Sequence, residues 1–304
     1  MKKRQLTSIL AFTAAASLAL VGCASGDTDT PGDKPGGDAE KGTVTLGFLP
    51  GWTDGLSTAY LLQDQLEKLG YTVEMNTLTE AGPLYTGLAK GDVDIYPSAW
   101  PELTHKSYMD KFGDKIEDLG KYYDDAKLTI AVPEYTGIDS IADLEGNADR
   151  FGGKIIGIEP GAGLTKQTQE HMLPDYGLEG EYELITSSTA AMLTELEKAT
   201  KKKEDIVVTL WRPFWANDAY PVKDLEDPKG AMGEPEGLHF LGTKGFGEAN
   251  PEAADYIAKI KLNDEQYGAL EGLVTSDEYK DKSADAVDKW IEEYGDQIDW
   301  LITD

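Results

Sequence analysis

The sequence predicts an α/β fold of two lobes with a binding cleft between them, and three observations carry that prediction. From residue 44 onward, short β-rich runs alternate with helical segments, as in the βαβ units of a parallel sheet. After residue 133 the same alternation starts afresh. The folded part, roughly 260 residues, is long for one core and natural for two lobes of ordinary domain size.

Taken in order, Val44-Thr45-Leu46-Gly47-Phe48-Leu49 is a strand ended by Pro50, and the leucines at 61, 62, 66 and 69 line one face of a helix closed by Gly70. A strand at 71–75, a helix at 83–90 and a strand at 93–96 complete the first unit. The apolar run 127–133 is a further strand. Then follow a helix at 138–144 capped by Asp139 or Ser140, a strand at 154–158, a helix at 165–173, a strand at 182–186, an amphipathic helix at 189–201 and a buried strand at 205–210 running into Trp211. From Leu238 the chain returns to the first lobe, and helices at 251–260, 264–274 and 284–298 close it. The boundaries expected are therefore 43–131 for the first part of lobe one, 132–237 for lobe two and 238–304 for the return.

The chain begins with the basic residues Lys2, Lys3 and Arg4 and an apolar run at 9–21 too short to span a bilayer, which reads as an export signal covering 1–22. Leu20-Val21-Gly22-Cys23 resembles the lipobox of bacterial lipoproteins, which implies cleavage before Cys23 and its lipid modification. Two or more acyl chains would hold the protein at the outer face of the membrane. Residues 23–42 hold no large apolar side chain and read as a disordered tether. Cys23 is the only cysteine, so the exported domain has no disulfide, thiolate metal site or cysteine nucleophile. Loss of 1–22 moves the formal charge from -28 to -31, because Lys2, Lys3 and Arg4 are the only charges removed. So acidic a chain is not expected to partner nucleic acid or anionic lipid surfaces, which are bound through Lys/Arg excess.

Three tryptophans stand at the carboxyl ends of predicted strands, where open α/β sheets place their ligands: Trp52 after the first, Trp100 after the 93–96 strand and Trp211 after the 205–210 strand. Taken singly, each also fits core packing. Their shared position points instead to one cleft. Convergent indole faces suit a quaternary ammonium, whose spread charge is attracted by the ring quadrupole without a hydrogen-bond donor. Trp290 and Trp300 read as packing; Trp215 reads as packing beneath its loop or as a further wall. Between Ile158 and Thr165 a strand passes through a glycine turn into a helix, whose free N–H groups suit a carboxylate. Lys166 stands where a dinucleotide loop needs its third glycine, and no phosphate-loop pattern is present.

Glu80-Ala81-Gly82-Pro83, Ser98-Ala99-Trp100-Pro101 through Thr104-His105, Ile156-Gly157-Ile158-Glu159-Pro160-Gly161-Ala162-Gly163 and Trp211-Arg212-Pro213-Phe214-Trp215 resemble motifs of the glycine betaine binding proteins of ABC importers. The similarity covers nearly all of 44–304. It implies a two-lobed periplasmic-binding-protein-like fold of type II, no cofactor and no catalysis, with an ABC transporter permease as partner. It also implies Trp52, Trp100 and Trp211 as a prism around the trimethylammonium group, Gly163 and Leu164 as N–H donors to the carboxylate, and His105 as an additional polar contact. The chain departs from the family at Arg212, often threonine, and at Glu102. Arg212 reaches either the ligand carboxylate or a neighbouring acid, the latter being favoured by the abundance of acids. Choline, carnitine and proline betaine are alternative ligands. A surface-anchored hydrolase is the competing class, but His105, His171 and His239 are widely separated and no H-E-x-x-H or G-x-S-x-G motif is present.

Overall fold

The computed structural model describes residues 41–303; the expected export signal, Cys23 and almost all of the tether lie outside the described residues. In chain order the elements are β1 (Thr43–Phe48), α1 (Thr53–Lys68), β2 (Thr72–Thr77), α2 (Ala81–Lys90), β3 (Ile95–Ala99), α3 (Lys106–Phe112), β4 (Ile116–Pro133), β5 (Lys154–Ile156), α4 (Gly163–Gln167), α5 (Leu173–Asp175), β6 (Glu183–Ile185), α6 (Thr189–Lys202), β7 (Val208–Arg212), α7 (Ala216–Ala219), β8 (Val222–Asp224), β9 (Glu236–Thr243), α8 (Phe246–Ala249), α9 (Pro251–Ile257), α10 (Asp264–Thr275) and α11 (Ser283–Tyr294).

The strands run in the order β2-β1-β3-β9-β4-β7-β5-β6, with β8 on the other side of β4. β1 is parallel to β2 and β3, and β5 is parallel to β6 and β7, as the alternating pattern predicts. The arrangement is nevertheless mixed, because β9 runs antiparallel to β3 and β4, and β4 antiparallel to β7 and β8. β4 is the element the two halves share. Its first part pairs with β9 in the sheet of β1–β3, and its last part, from Lys127, pairs with β7 and β8 in the sheet of β5–β7.

Only 127–133 of β4 is expected from the sequence; the strand begins at Ile116. Its first part carries Glu117, Asp118, Asp124 and Asp125, residue types that strands disfavour. Three register shifts against β9 break the two-residue alternation that would betray a strand. Gly120 has φ +140°, and a Cβ there would press on the Ala258 backbone, so packing against the segment after α9 demands glycine. Trp211 also moves: it lies inside β7, paired with Leu128, rather than beyond it. The helix expected at 165–173 is an interrupted one, with a π turn at Thr168–Met172 joining α4 to α5.

The helices cover the sheets as their apolar faces require. Leu61, Leu62 and Leu66 of α1 are buried, and Gly70 ends the helix with φ +91°. Trp290 is fully buried in α11, and its indole N–H donates to the Gln266 carbonyl, as a packing tryptophan's should. No helix among the described residues is long and apolar enough to cross a membrane.

Gln65 ties the chain's end to this frame. Fully buried in α1, it accepts from Ile302 N at 2.8 Å and from the Tyr256 hydroxyl, and it donates to the Ile302 carbonyl at 3.1 Å. Gln65→Ala strands these groups without partners at about 1–3 kcal/mol each where burial persists. Urea unfolding is expected to show a loss on the order of 3 kcal/mol; a loss below about 1 kcal/mol contradicts the anchoring role.

Candidate functional site

The three tryptophans reach one place from three strands. Trp52 ends the turn after β1, its N–H bonded to the Leu49 carbonyl at 3.0 Å, and opens α1. Trp100 directly follows β3. Trp211 lies near the end of β7. All three are at least nine-tenths buried, and with Gly163, Leu164 and His105 they line a single cavity. Asp54, Thr104, Leu128, Ile158 and Ala162 complete its wall. The six residues that the family resemblance implies for the ligand are therefore brought to the same cavity.

A short turn carries two of these residues. The Trp100 carbonyl accepts from His105 N at 2.8 Å, and the His105 ring returns the contact, its Nδ1 accepting from Trp100 N at 3.1 Å. Acceptance at Nδ1 leaves the proton on Nε2. His105 is held neutral, its pKa pushed down to about 3 by burial. Its ring stacks on Trp52, with centroids 5.9 Å apart and planes 17° from parallel, and Tyr85 abuts it edge-on. The remainder of the turn hangs on one carboxylate from β9. Glu236 accepts from the backbone N–H groups of Glu102, Leu103 and Thr104 at 2.9–3.0 Å and from the Thr104 hydroxyl.

Opposite this turn, α4 begins at Gly163. The first i→i−4 bond runs from Lys166 N to the Ala162 carbonyl, so the N–H groups of Gly163 and Leu164 precede it and have no intrahelical acceptor. A side chain at 163 would overlap the Thr104 carbonyl, and this close approach requires glycine. The glycine turn is gripped from the other half by two further bonds. Gly161 N donates to Glu80 Oε2 at 3.1 Å, and the Tyr108 hydroxyl donates to the Gly161 carbonyl at 2.7 Å. This gives Glu80 of the 80–83 motif a structural purpose.

One residue missed by sequence reasoning is Asp54. It is 3% exposed and lines the cavity, and its Oδ2 accepts from Ser98 Oγ at 2.6 Å and from the Trp100 indole N–H at 3.1 Å. Burial raises its pKa, opposed in part by these two hydrogen bonds. No Lys or Arg among the described residues pairs with it. An acid in the first turn of a helix is what the helix dipole favours anyway, so its sequence position hides the role. Behind it lies Glu271 of α10, which accepts from the Thr53 hydroxyl and the Trp215 backbone N–H.

The remaining candidates fall outside the cavity. Arg212 turns away to Asp224, Nε to Oδ2 at 2.5 Å, in line with the favoured pairing with an acid. Trp215 is not a wall; it packs against Phe214 and Tyr220, while Phe214 in turn stacks on Trp211 at 3.9 Å. His239 pairs with Asp118 at 2.8 Å on β9, and His171 is exposed on the π turn. No group of three or more His, Cys, Asp or Glu suited to a metal ion exists among the described residues.

Glu271 gives the site a pH signature. Its pKa is pushed up to about 8 by burial, opposed by the Thr53 hydrogen bond and reinforced by the Asp54 carboxylate. A carboxyl whose folded pKa lies above its ordinary 4.5 contributes stability that is complete below pH 4.5 and lost as pH rises through about 8. His105 has the opposite sign: its contribution is present above pH 6.5 and lost as pH falls toward 3. Glu271→Gln, which keeps the shape without the charge, is expected to reduce the fall in urea stability between about pH 5 and about pH 8.5. An unchanged fall contradicts the burial of a titrating group there.

The chain matches the family model described as the substrate binding domain of ABC-type glycine betaine transport system over residues 42–293. It is 36% identical over 145 residues to the glycine betaine/carnitine transport binding protein GbuC of Listeria monocytogenes, an alignment spanning 47% of either chain and so less than two thirds of that relative. To the glycine betaine/proline betaine-binding periplasmic protein of Salmonella typhimurium it is 26% identical over 285 residues, spanning 79% of this chain and 84% of that one. Among solved structures, the glycine betaine, L-proline-binding protein ProX of Borrelia burgdorferi superposes with a TM-score of 0.79 at 31% identity, over 86% of this chain and 97% of the other. Lactococcal OpuAC, closed around glycine betaine, superposes with a TM-score of 0.76 at 29% identity, over 86% and 99%. Both solved relatives are matched over almost their whole length, and the family model spans the cavity and both sheets: the chain belongs to the family of substrate-binding domains of ABC-type glycine betaine transport systems.

Proposed function

We propose that the chain is the extracytoplasmic receptor of an ABC importer and captures glycine betaine, or a close quaternary ammonium relative, in this cavity. The observation that carries the reading is the convergence of three indoles and one helix start on a single buried space. In it, Trp52, Trp100 and Trp211 face the trimethylammonium group and attract it through their ring quadrupoles. The N–H groups of Gly163 and Leu164 take the carboxylate, as free groups at a helix start favour an anion. His105, neutral with its proton on Nε2, is the additional donor. The ligand is bound and released without chemistry. The lobes correspond to 43–131 with 238–304 and to 132–237, and closure of one on the other encloses the ligand before delivery to the permease. Cleavage before Cys23 and its lipidation would tether the receptor to the outer face of the membrane.

One observation favours choline as a second reading. Asp54 faces the cavity as a buried acid without a cationic partner, and buried charges are stable only when paired. A cation lacking a carboxylate of its own would leave that pairing undivided.

Isothermal titration with glycine betaine, choline, carnitine and proline tests the reading. Saturable binding of at least one quaternary ammonium compound without turnover is expected, and no saturation with any of them contradicts it. Trp100→Ala is expected to weaken the ligand bound best by about 1–2 kcal/mol, with the circular dichroism spectrum unchanged. Unfolding of this variant would return Trp100 to the core.

A further inference from the structure

We propose that Glu159 is the positioning residue that latches the cleft and completes the aromatic cage in the same movement. The inference rests on the proposed function for the identity of the ligand, but the latch is built from protein groups alone. Glu159 follows β5, on the turn before α4. It is 7% exposed and lies outside the cavity wall. Its carboxylate accepts three hydrogen bonds. Two come from Thr189 at the start of α6, from N to Oε1 and from Oγ1 to Oε2, each at 2.8 Å. The third comes from across the cleft, from the indole Nε1 of Trp52 to Oε2 at 3.0 Å.

The asymmetry of these bonds gives the carboxylate its role. Thr189 belongs to the same half as Glu159, so it fixes the carboxylate whether the cleft is open or closed. Trp52 rides on β1 and α1 of the other half, and its N–H has this partner only when the halves meet. The bond also sets the ring plane, because the indole is held at one edge by Glu159 while its face stacks on His105. Two residues further on, the Glu80 and Tyr108 bonds to Gly161 grip the same turn from the same side of the cleft as Trp52. No Lys or Arg among the described residues pairs with Glu159. A charge-assisted bond from the indole is therefore the chief contact by which its carboxylate favours the closed form.

Glu159→Ala and Glu159→Gln test this, each with and without glycine betaine. In stopped-flow tryptophan fluorescence, Glu159→Ala is expected to release glycine betaine about tenfold faster or more, since hydrogen bonds to charged groups contribute roughly 1.5–3 kcal/mol. Its association rate should stay within about twofold, the pattern of a lost contact in the bound state. Without ligand, solution X-ray scattering should give Glu159→Ala a larger radius of gyration than the parent, and the Trp52 indole N–H should lose protection from exchange in NMR spectra. Glu159→Gln, which keeps one acceptor oxygen, should fall between the two, and it is read alone if Glu159→Ala does not fold. Parent-like release together with parent-like scattering overturns the inference. If the parent itself binds no glycine betaine, the proposed ligand falls, and the scattering and exchange of the ligand-free variants decide the latch: parent-like values overturn it and the expected shifts support it.

Discussion

Indole faces attract a quaternary ammonium group only if they stay apart and dry, yet apolar rings in a protein interior gain free energy by collapsing onto one another. What resists collapse here is the polar edge of the ring. The Trp52 N–H is held by Glu159 and the Trp100 N–H by Asp54, each a buried carboxylate anchored by hydroxyl groups of its own neighbourhood. Trp211, the third wall, is instead braced by stacking on Phe214. Two edges are thus pinned by hydrogen bonds and one face by packing, while all three side chains line one cavity. The sheet geometry explains why the pins are available: β1, β3 and β7 end at the cleft, and the turns that follow β1 and β5 supply both indole and acid.

The acids around the cavity differ in their surroundings. Asp54 and Glu271 lie close enough for one charge to disfavour the other, and burial raises both pKa values. Glu236 does different work, gathering three backbone N–H groups and a hydroxyl so that the turn from Trp100 to His105 keeps its shape. Burying a carboxyl is costly unless hydrogen bonds or a cation compensate it, and a carboxylate facing an apolar cavity is penalised until a cation arrives. The chain's overall acidity therefore conceals at least three distinct uses of carboxylates: surface solubility, turn organisation and charge facing the cavity.

Much of this was legible in the residues. Strand-end tryptophans and the glycine turn are readable because strand periodicity fixes which chain segments reach the sheet rim, and the family motifs add the pairing between them. The strand reading failed where local chemistry opposes the final structure, as in the acidic, bulged first part of β4, which owes its strand to pairing with β9 some 120 residues away in sequence. Asp54, Glu159 and Glu236 were invisible as functional residues for a related reason. Each is an acid in an acidic chain, and its role arises from partners distant in sequence: Trp100, Trp52 and the 102–104 turn. Arg212 was readable because only two roles were open to it, and Asp224 of β8 takes it.

In the proposed function, charge and not shape alone draws the ligand into the aromatic cavity. The most direct measurement compares glycine betaine with tert-butylacetate, which replaces the ammonium nitrogen by carbon and keeps the size and the carboxylate. Three cation–π contacts at roughly 1–2 kcal/mol each predict that the carbon analogue binds at least about a hundredfold more weakly. Equal affinities for the two would mean that the tryptophans form an apolar slot and not a cation cage.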